Sequence, residues 1–443
     1  MKKIESTTKK KFKLWEKIFV AFSIIAIIVI SSIYMYRLIY YYKIEHPKKI
    51  DNSIATHIIR KGTTSSGDGL YTFDSKHYYY QGTDVSNYIW YSGRLFRIVN
   101  IDEDGLTLIT EDSQTSLVWG LTSDIKESYI YNWLNKTEKE YSGIFLNSIN
   151  NYESELILNT WCIGVNKIEN NSCEEELDNY VSLLSVSDYL KAKGPDSYLN
   201  NGTYWWTSNV SEDGKPLYVF NSGGINDEVS LNETYYSYGV RPVIKVSRAL
   251  TYLKGDGTKE NPYQIKVENE NILSDKSVGE YVKYSNYTWR IQSKTEDTIK
   301  LILDGYIEKN DTVIIEKYTN VINYLNKTFY NTLSKNNLKK CDFYKGTYNK
   351  NTMYDYQNIY TEKANNYVGL SSIGELFINN YNNSWLYNSF GSNSLQYKTT
   401  EQNRIIADVN SNKNNITPVI CLKKDMTITA GEGTKDNPYI VEE

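Results

Sequence analysis

A chain of 443 residues with 40% hydrophobic and 23% charged side chains and a formal net charge of −4 has the make-up of globular material, neither collagen-like nor disordered throughout. Four cysteines are too few for a disulfide-dense scaffold, and three histidines, at positions 46, 57 and 77, leave little for a His-built metal centre. At roughly 150 residues per domain, the length suggests two or three domains.

Residues 1–17 carry seven lysines and read as a cytoplasmic tail. Residues 18–36, IFVAFSIIAIIVISSIYMY, carry no charge. Such a run spans roughly 28 Å at about 1.5 Å per residue, and backbone groups in lipid must bond within their own segment, so it reads as one transmembrane helix. Trp15 and the trio Tyr40, Tyr41 and Tyr42 suit the two interfaces. Seven lysines precede the helix, against Arg37, Lys43, Lys48 and Lys49 after it, which places the N-terminus in the cytoplasm and the rest outside. A cleaved signal would have an apolar region of about 7–15 residues and an A-x-A-like site, which Ser31, Ser32, Ile33 and Tyr34 do not supply. After residue 50 the chain holds 50 acidic and 38 basic residues, so neither nucleic acid nor a polyanionic wall polymer is an expected partner.

Residues 37–66 read as a stalk, since 51–66 have too few apolar side chains for a core of their own. Beyond them five landmarks recur in order. YIWYSGRLFR at 88–97 returns as YVKYSNYTWR at 281–290, WLNKT at 133–137 as YLNKT at 324–328, and YVSLLSVSDYL at 180–190 as YVGLSSIGELF at 367–377. RPVIKV at 241–246 returns as TPVICL at 417–422, and GDGTKENPY at 255–263 as GEGTKDNPY at 431–439, both with an offset of 176. The period is longer than a solenoid unit, so the pattern predicts two tandem domains of one fold, 67–267 and 268–443, joined around 267–274.

Each copy reads as α+β. Apolar runs at 95–101 and 106–110 flank the turn Asp102-Glu-Asp-Gly105 and predict a hairpin. Ser185 with Asp188, and Ser372 with Glu375, have the spacing of a capping box or its acidic variant, which predicts short helices beginning at each serine. Strands are expected at 204–207, 217–220, 238–246 and 263–267, with Pro242 and Pro262 at strand starts or edges.

Gly67-Asp-Gly-Leu-Tyr71, the 88–97 strand, Trp205-Trp206 and Gly239-Val-Arg-Pro-Val243 together resemble a family of Gram-positive, membrane-anchored surface proteins. The domains of that family are similar to the C-type-lectin-like fold shared with formylglycine-generating, sulfatase-modifying domains. The resemblance covers most of 67–267 and, more faintly, 268–443. It implies two tandem C-type-lectin-like domains behind the membrane helix, and no particular activity. The second copy departs from it, with Trp385-Leu386 in place of the tryptophan pair and Thr417 in place of Arg241. The formylglycine-generating relatives rely on a cysteine pair near the end of the domain. Only Cys421 has a comparable place, so oxidase activity is not implied.

Candidate site residues follow. Trp205 and Trp206 are neighbours in a predicted strand, so one ring faces the core and the other faces out to stack on a sugar or peptide; alternatively both complete a core beneath the Arg241 strand. Arg241 is either a substrate clamp or a buried partner for a carboxylate or carbonyl. Tyr235 and Tyr236 sit in a Tyr-, Ser- and Asn-rich loop with the composition of a recognition surface, although codon bias toward adenine and thymine enriches the same residues. Cys162 and Cys173 are spaced to close a disulfide worth about 2–3 kcal/mol outside the cell. The pairing of Cys341 and Cys421 stays open.

Asp102-Glu-Asp-Gly105 lacks the ligand spacing of an EF-hand, and Gly-x-Gly-Thr-Lys-x-Asn-Pro-Tyr lacks the ending of a phosphate loop, so no metal or cofactor is expected. Nucleophile–histidine chemistry finds no histidine after His77, and acidic residues are too many for spacing to select a catalytic pair. The expectation is a non-catalytic surface binding or adhesion protein for a glycan or protein ligand, with a structural envelope scaffold and a glycan-directed hydrolase in the first domain as alternatives.

Overall fold

The computed structural model describes the chain apart from residues 1–13, 46–50, 140–141, 168–171, 228–236, 267–270, 308–317, 346, 349–361, 379–384, 391–392, 400–404 and 410–414. It divides into two units, Met1–Asn52 and Ser53–Glu443. The first unit contains the helix Leu14–Glu45, 32 residues long, and its segment Lys17–Arg37 is long and apolar enough to cross a membrane. Two of its hydroxyls are satisfied within the helix, Ser23 donating to Phe19 O at 2.9 Å and Ser32 to Ile28 O at 2.8 Å. Back-bonding of this kind lets hydroxyls sit in an apolar surround.

The second unit is α+β, mostly sheet with few helices. Its first element corrects the stalk expected at 37–66 over the stretch that begins at Ser53. Ser53 caps the helix Ile54–Arg60 by accepting from Thr56 N at 3.3 Å, and Ile54, Ala55 and Ile58 are buried. Ile54 N donates to Leu250 O at 2.8 Å, and the His57 ring stacks on Tyr252 at 3.6 Å. Three apolar side chains cannot build a core, but on one face of a helix they can complete the core of a sheet already formed.

That sheet runs in the order Tyr252–Lys254, Tyr263–Ile265, Tyr88–Tyr91, Arg94–Ile101, Gly105–Thr110, Val243–Ser247, Val181–Ser182, with the hairpin Gly69–Thr72/Tyr78–Gln81 attached to Arg94–Ile101. A second large sheet places Ile428–Ala430, Tyr439–Val441, Tyr281–Tyr284, Tyr287–Lys294, Thr298–Leu303 and Val419–Lys423 in the same succession, with Val368–Gly369 again beside the last strand. Register agrees as well as order. Tyr88 pairs with Arg97 and Tyr281 with Arg290, while Tyr263 runs parallel beside Ile89 and Tyr439 beside Val282. Each central hairpin carries a bulge at the corresponding place, after Ile98 and after Ile291. The repeated Gly-x-Gly motif has a steric cause. Gly255 and Gly431 hold φ of +100° and +95°, and a Cβ on either would lie 2.0 or 2.1 Å from the carbonyl oxygen of Pro262 or Pro438.

Two expected elements differ. The single strand at 238–246 is broken at Arg241 and Pro242, because Tyr238–Val240 pairs with Thr115–Leu117 in a smaller sheet and Val243–Ser247 pairs with Gly105–Thr110 in the large one. Proline cannot donate to a ladder, so the chain changes sheets there. At Ser185 the capping box opens the helix Val186–Lys191, with Asp188 N donating to Ser185 Oγ at 3.1 Å. At Ser372 there is only a turn. Glu375 Oε2 accepts from Ser372 N at 2.8 Å, but the Ser372 hydroxyl is turned to Tyr344 O instead of capping, and Glu375 Oε1 is held by Lys300 at 2.8 Å.

The two large sheets belong to one body. Trp133 Nε1 donates to Gly374 O and Phe377 N to Gln114 O, both at 2.6 Å, and Asn150 Nδ2 donates to Asp275 O at 2.9 Å.

Candidate functional site

Neither ring of the tryptophan pair is available to a ligand: of the two readings, the one in which both complete a core holds, and their assignment as ligand contacts is corrected. Trp205 and Trp206 are both 0% exposed. The strand Trp205–Val210 is covered on both sides, so alternation places the two rings in two packed layers. Trp206 packs against Trp119, Tyr218 and Tyr238 and donates from Nε1 to Leu117 O at 2.8 Å. Trp205 meets Tyr189 edge-on at 5.5 Å and lies under the Arg241 guanidinium at 5.0 Å.

Arg241 is likewise no substrate clamp. It is buried, donating from Nε to Thr110 O at 3.0 Å and from Nη1 to Leu199 O at 2.6 Å, and burial lowers its pKa to about 10. It therefore ties the sheet-switching corner to the end of the strand Gly105–Thr110 and to the segment at Leu199. Tyr235 and Tyr236 lie outside the described residues.

Cys162 and Cys173 are joined at 2.13 Å, within the hairpin Asn159–Lys167/Ser172–Asn179. Cys341 and Cys421 are joined at 2.06 Å and close a separation of 80 residues. Each disulfide lines a cleft, and the two clefts occupy matching places in the strand order. In the first, of about 340 Å³, the Lys245 ammonium donates to Asp102 Oδ2 at 2.7 Å and to Asn159 Oδ1 at 3.1 Å. Asp102, read from the sequence as part of a hairpin turn, also accepts from Asp104 N and Gly105 N at 3.0 Å each. Burial alone would raise its carboxyl, but the bonds from Lys245, Gly105 and Asp104 outweigh burial and hold it below the usual carboxylate range.

In the second cleft, of about 600 Å³, the corresponding parts are redistributed. Lys245 pairs across strands with Thr107, and Cys421 with Lys300, so the lysine has moved to the partner strand while its old place holds a cysteine. Asn159 and Cys341 each begin the hairpin strand paired to Asn179 or Asn366. The polar contact between Lys245 and Asn159 in one cleft is thus a covalent bond between Cys421 and Cys341 in the other. Asp188 and Glu375, the acids of the two Ser-x-x-acid motifs, line the clefts at matching positions, and Glu375 takes up Lys300. Each cleft is lined by three carboxylates and two lysines, an excess of acceptors over cations.

Beside the first cleft stands a feature that the sequence reading missed. Tyr71 and Tyr79 face each other across the hairpin and stack at 5.8 Å, and Phe73 stacks on Tyr79 at 4.8 Å with planes 23° apart. Phe73 is nevertheless 72% exposed. Lys191, which lines the cleft, holds its ammonium 5.0 Å from the Tyr79 centroid and 5.6 Å from that of Phe73. The signal was present as aromatic residues two apart, Tyr71 on a strand and Phe73 just past its end, before the chain turns back to Tyr79.

A further polar centre lies between the two large sheets, flanked by cavities of about 880 and 750 Å³. The Lys294 ammonium donates to Asn150 Oδ1, to Ser274 O at 3.1 Å and to Lys276 O at 2.8 Å, and burial lowers its pKa to about 8. Glu280 accepts from Ser277 N at 2.5 Å and from the Tyr439 hydroxyl at 3.2 Å, and burial pushes its carboxyl up to about 7. Among the described residues no group of three or more His, Cys, Asp or Glu side chains is placed to hold a metal ion.

Comparison of the chain with protein-family models, curated proteins and solved structures finds no match to any of them.

Proposed function

We propose that this is a single-pass membrane protein with a cytoplasmic lysine-rich tail, whose residues 53–443 stand outside the cell and bind a glycan or protein ligand. In this reading the two halves are diverged copies of one C-type-lectin-like fold. Support for the copying comes from the shared strand order, register and bulge of the two large sheets. The exterior placement is supported by the apolar Lys17–Arg37 helix, the lysine excess before it, and two disulfides, which persist in oxidising compartments. The observation that carries the binding role is the pair of clefts at matching places, each keeping a buried lysine, a carboxylate ligand to it and a disulfide wall through wide sequence divergence. Two sites on one chain raise avidity without any new contact.

The test uses full-length protein in detergent on glycan and peptide arrays. Wild type gives signal, and Asp188→Asn combined with Glu176→Gln reduces it about tenfold while the melting temperature holds, since asparagine keeps the Ser185 contact of Asp188 at 2.7 Å. Silence on both arrays, with stable co-purification of another envelope protein, would replace this reading by the scaffold.

A further inference from the structure

We propose that the ring ladder of Tyr71, Tyr79 and Phe73 and the cleft beside it form one carbohydrate subsite, which takes an uncharged or amine-bearing oligosaccharide and refuses sulfated ones. The proposal rests on the binding reading above and narrows it to a ligand class.

The ladder supplies the apolar half of such a site. Tyr79 is buried and fixes Phe73 by near-parallel stacking, so the 72% exposed ring of Phe73 is a held platform. An aromatic face of this kind covers the C–H face of a sugar ring, and the preset stack limits the ordering cost of binding. The cleft supplies the polar half. Asp188, Glu176, Thr160 and Ser187 line it, and these oxygen groups accept from, or exchange hydrogen bonds with, sugar hydroxyls. Lys191 belongs to both parts, with its ammonium on the Tyr79 and Phe73 rings and its side chain in the cleft lining, so platform and cleft are continuous.

Charge selects the ligand class. Lys245 is already matched by Asp102 at 2.7 Å, which leaves Asp188 and Glu176 facing a ligand against Lys191 alone. A sulfate entering there meets net negative charge, whereas an amine is attracted and a hydroxyl tolerated. About 340 Å³ lies at the small end of the roughly 300–1,000 Å³ typical of ligand pockets, which suits a short sugar segment better than a protein loop. Among the described residues the second half has no counterpart of the Gly69–Thr72/Tyr78–Gln81 hairpin, so the ladder belongs to the first half.

The experiment presents immobilised cellotetraose, fully de-N-acetylated chitotetraose and a heparin-derived tetrasaccharide to the full-length protein in detergent. The first two bind, the amine-bearing one more tightly, and the sulfated one does not. Phe73→Ala raises Kd about tenfold without moving the melting temperature, and Phe73→Trp keeps affinity. Strongest binding of the sulfated sugar, or an unchanged Kd for Phe73→Ala, overturns the proposal. If all three sugars fail while peptide arrays still give signal, the carbohydrate assignment falls and the binding reading survives; failure of both ends both.

Discussion

Replacing Trp206 by alanine is expected to cost about 3–5 kcal/mol of stability, as truncation of a fully buried aromatic does when its surroundings cannot close the space. Domains are stable by only about 5–15 kcal/mol, so the first half is brought close to unfolding and any loss of ligand binding tracks loss of fold. The conservative changes separate packing from hydrogen bonding. Trp206→Phe is expected to cost at least about 1 kcal/mol, because it removes the bond to Leu117 O as well as shrinking the ring. Trp205→Phe loses no such bond, because the Trp205 indole N–H has no partner among the described residues. Thermal melting of the three variants checks the order. An unchanged melting temperature for Trp206→Ala, with selective loss of binding, would restore that ring as a ligand contact.

Melting is also expected to fall as pH rises from 5 to 8, with Glu280 as the main cause. Its folded carboxyl titrates near 7 against an ordinary 4.5, so between those values the folded state keeps a proton that the unfolded chain releases. The group's contribution is fully present below pH 4.5 and is lost as pH passes through about 7, a change on the order of 3 kcal/mol. Lys294, lowered from 10.5 to about 8, begins to titrate only at the upper end of that range and offsets a small part of the fall. Glu280→Gln, which keeps a neutral acceptor for Ser277 N, is expected to remove most of the fall. Scans at pH 5 and 8 should differ by several degrees in wild type and by much less in the variant; an equal or opposite slope would place the charge on water-exposed ground.

What could be read from the sequence was what repeats locally. The hairpin of Arg94–Ile101 and Gly105–Thr110 follows from two apolar runs around an Asp-Gly turn, and the matching strings at 88–97 and 281–290 occupy matching registers in the two large sheets. Failures came where distant segments decide the outcome. Alternation along Trp205–Val210 identifies two faces but not that Tyr189 and Arg241 cover one while Trp119 and Tyr218 cover the other. The helix Ile54–Arg60 looked like stalk because its partners, Leu250 and Tyr252, lie almost 200 positions away. The clefts were illegible for the same reason. Asp102, Asn159, Asp188 and Lys245 are unremarkable apart, and only the pairing of Val243–Ser247 with Gly105–Thr110 brings Lys245 to Asp102.

The central claim, that a lysine-flanked helix holds a binding body outside the cell, is tested most directly by protease treatment of intact cells carrying the full chain with a different epitope at each terminus. The account predicts that the C-terminal epitope is lost and the N-terminal one survives on a short membrane-bound fragment. Survival of the C-terminal epitope until the membrane is permeabilised would contradict it.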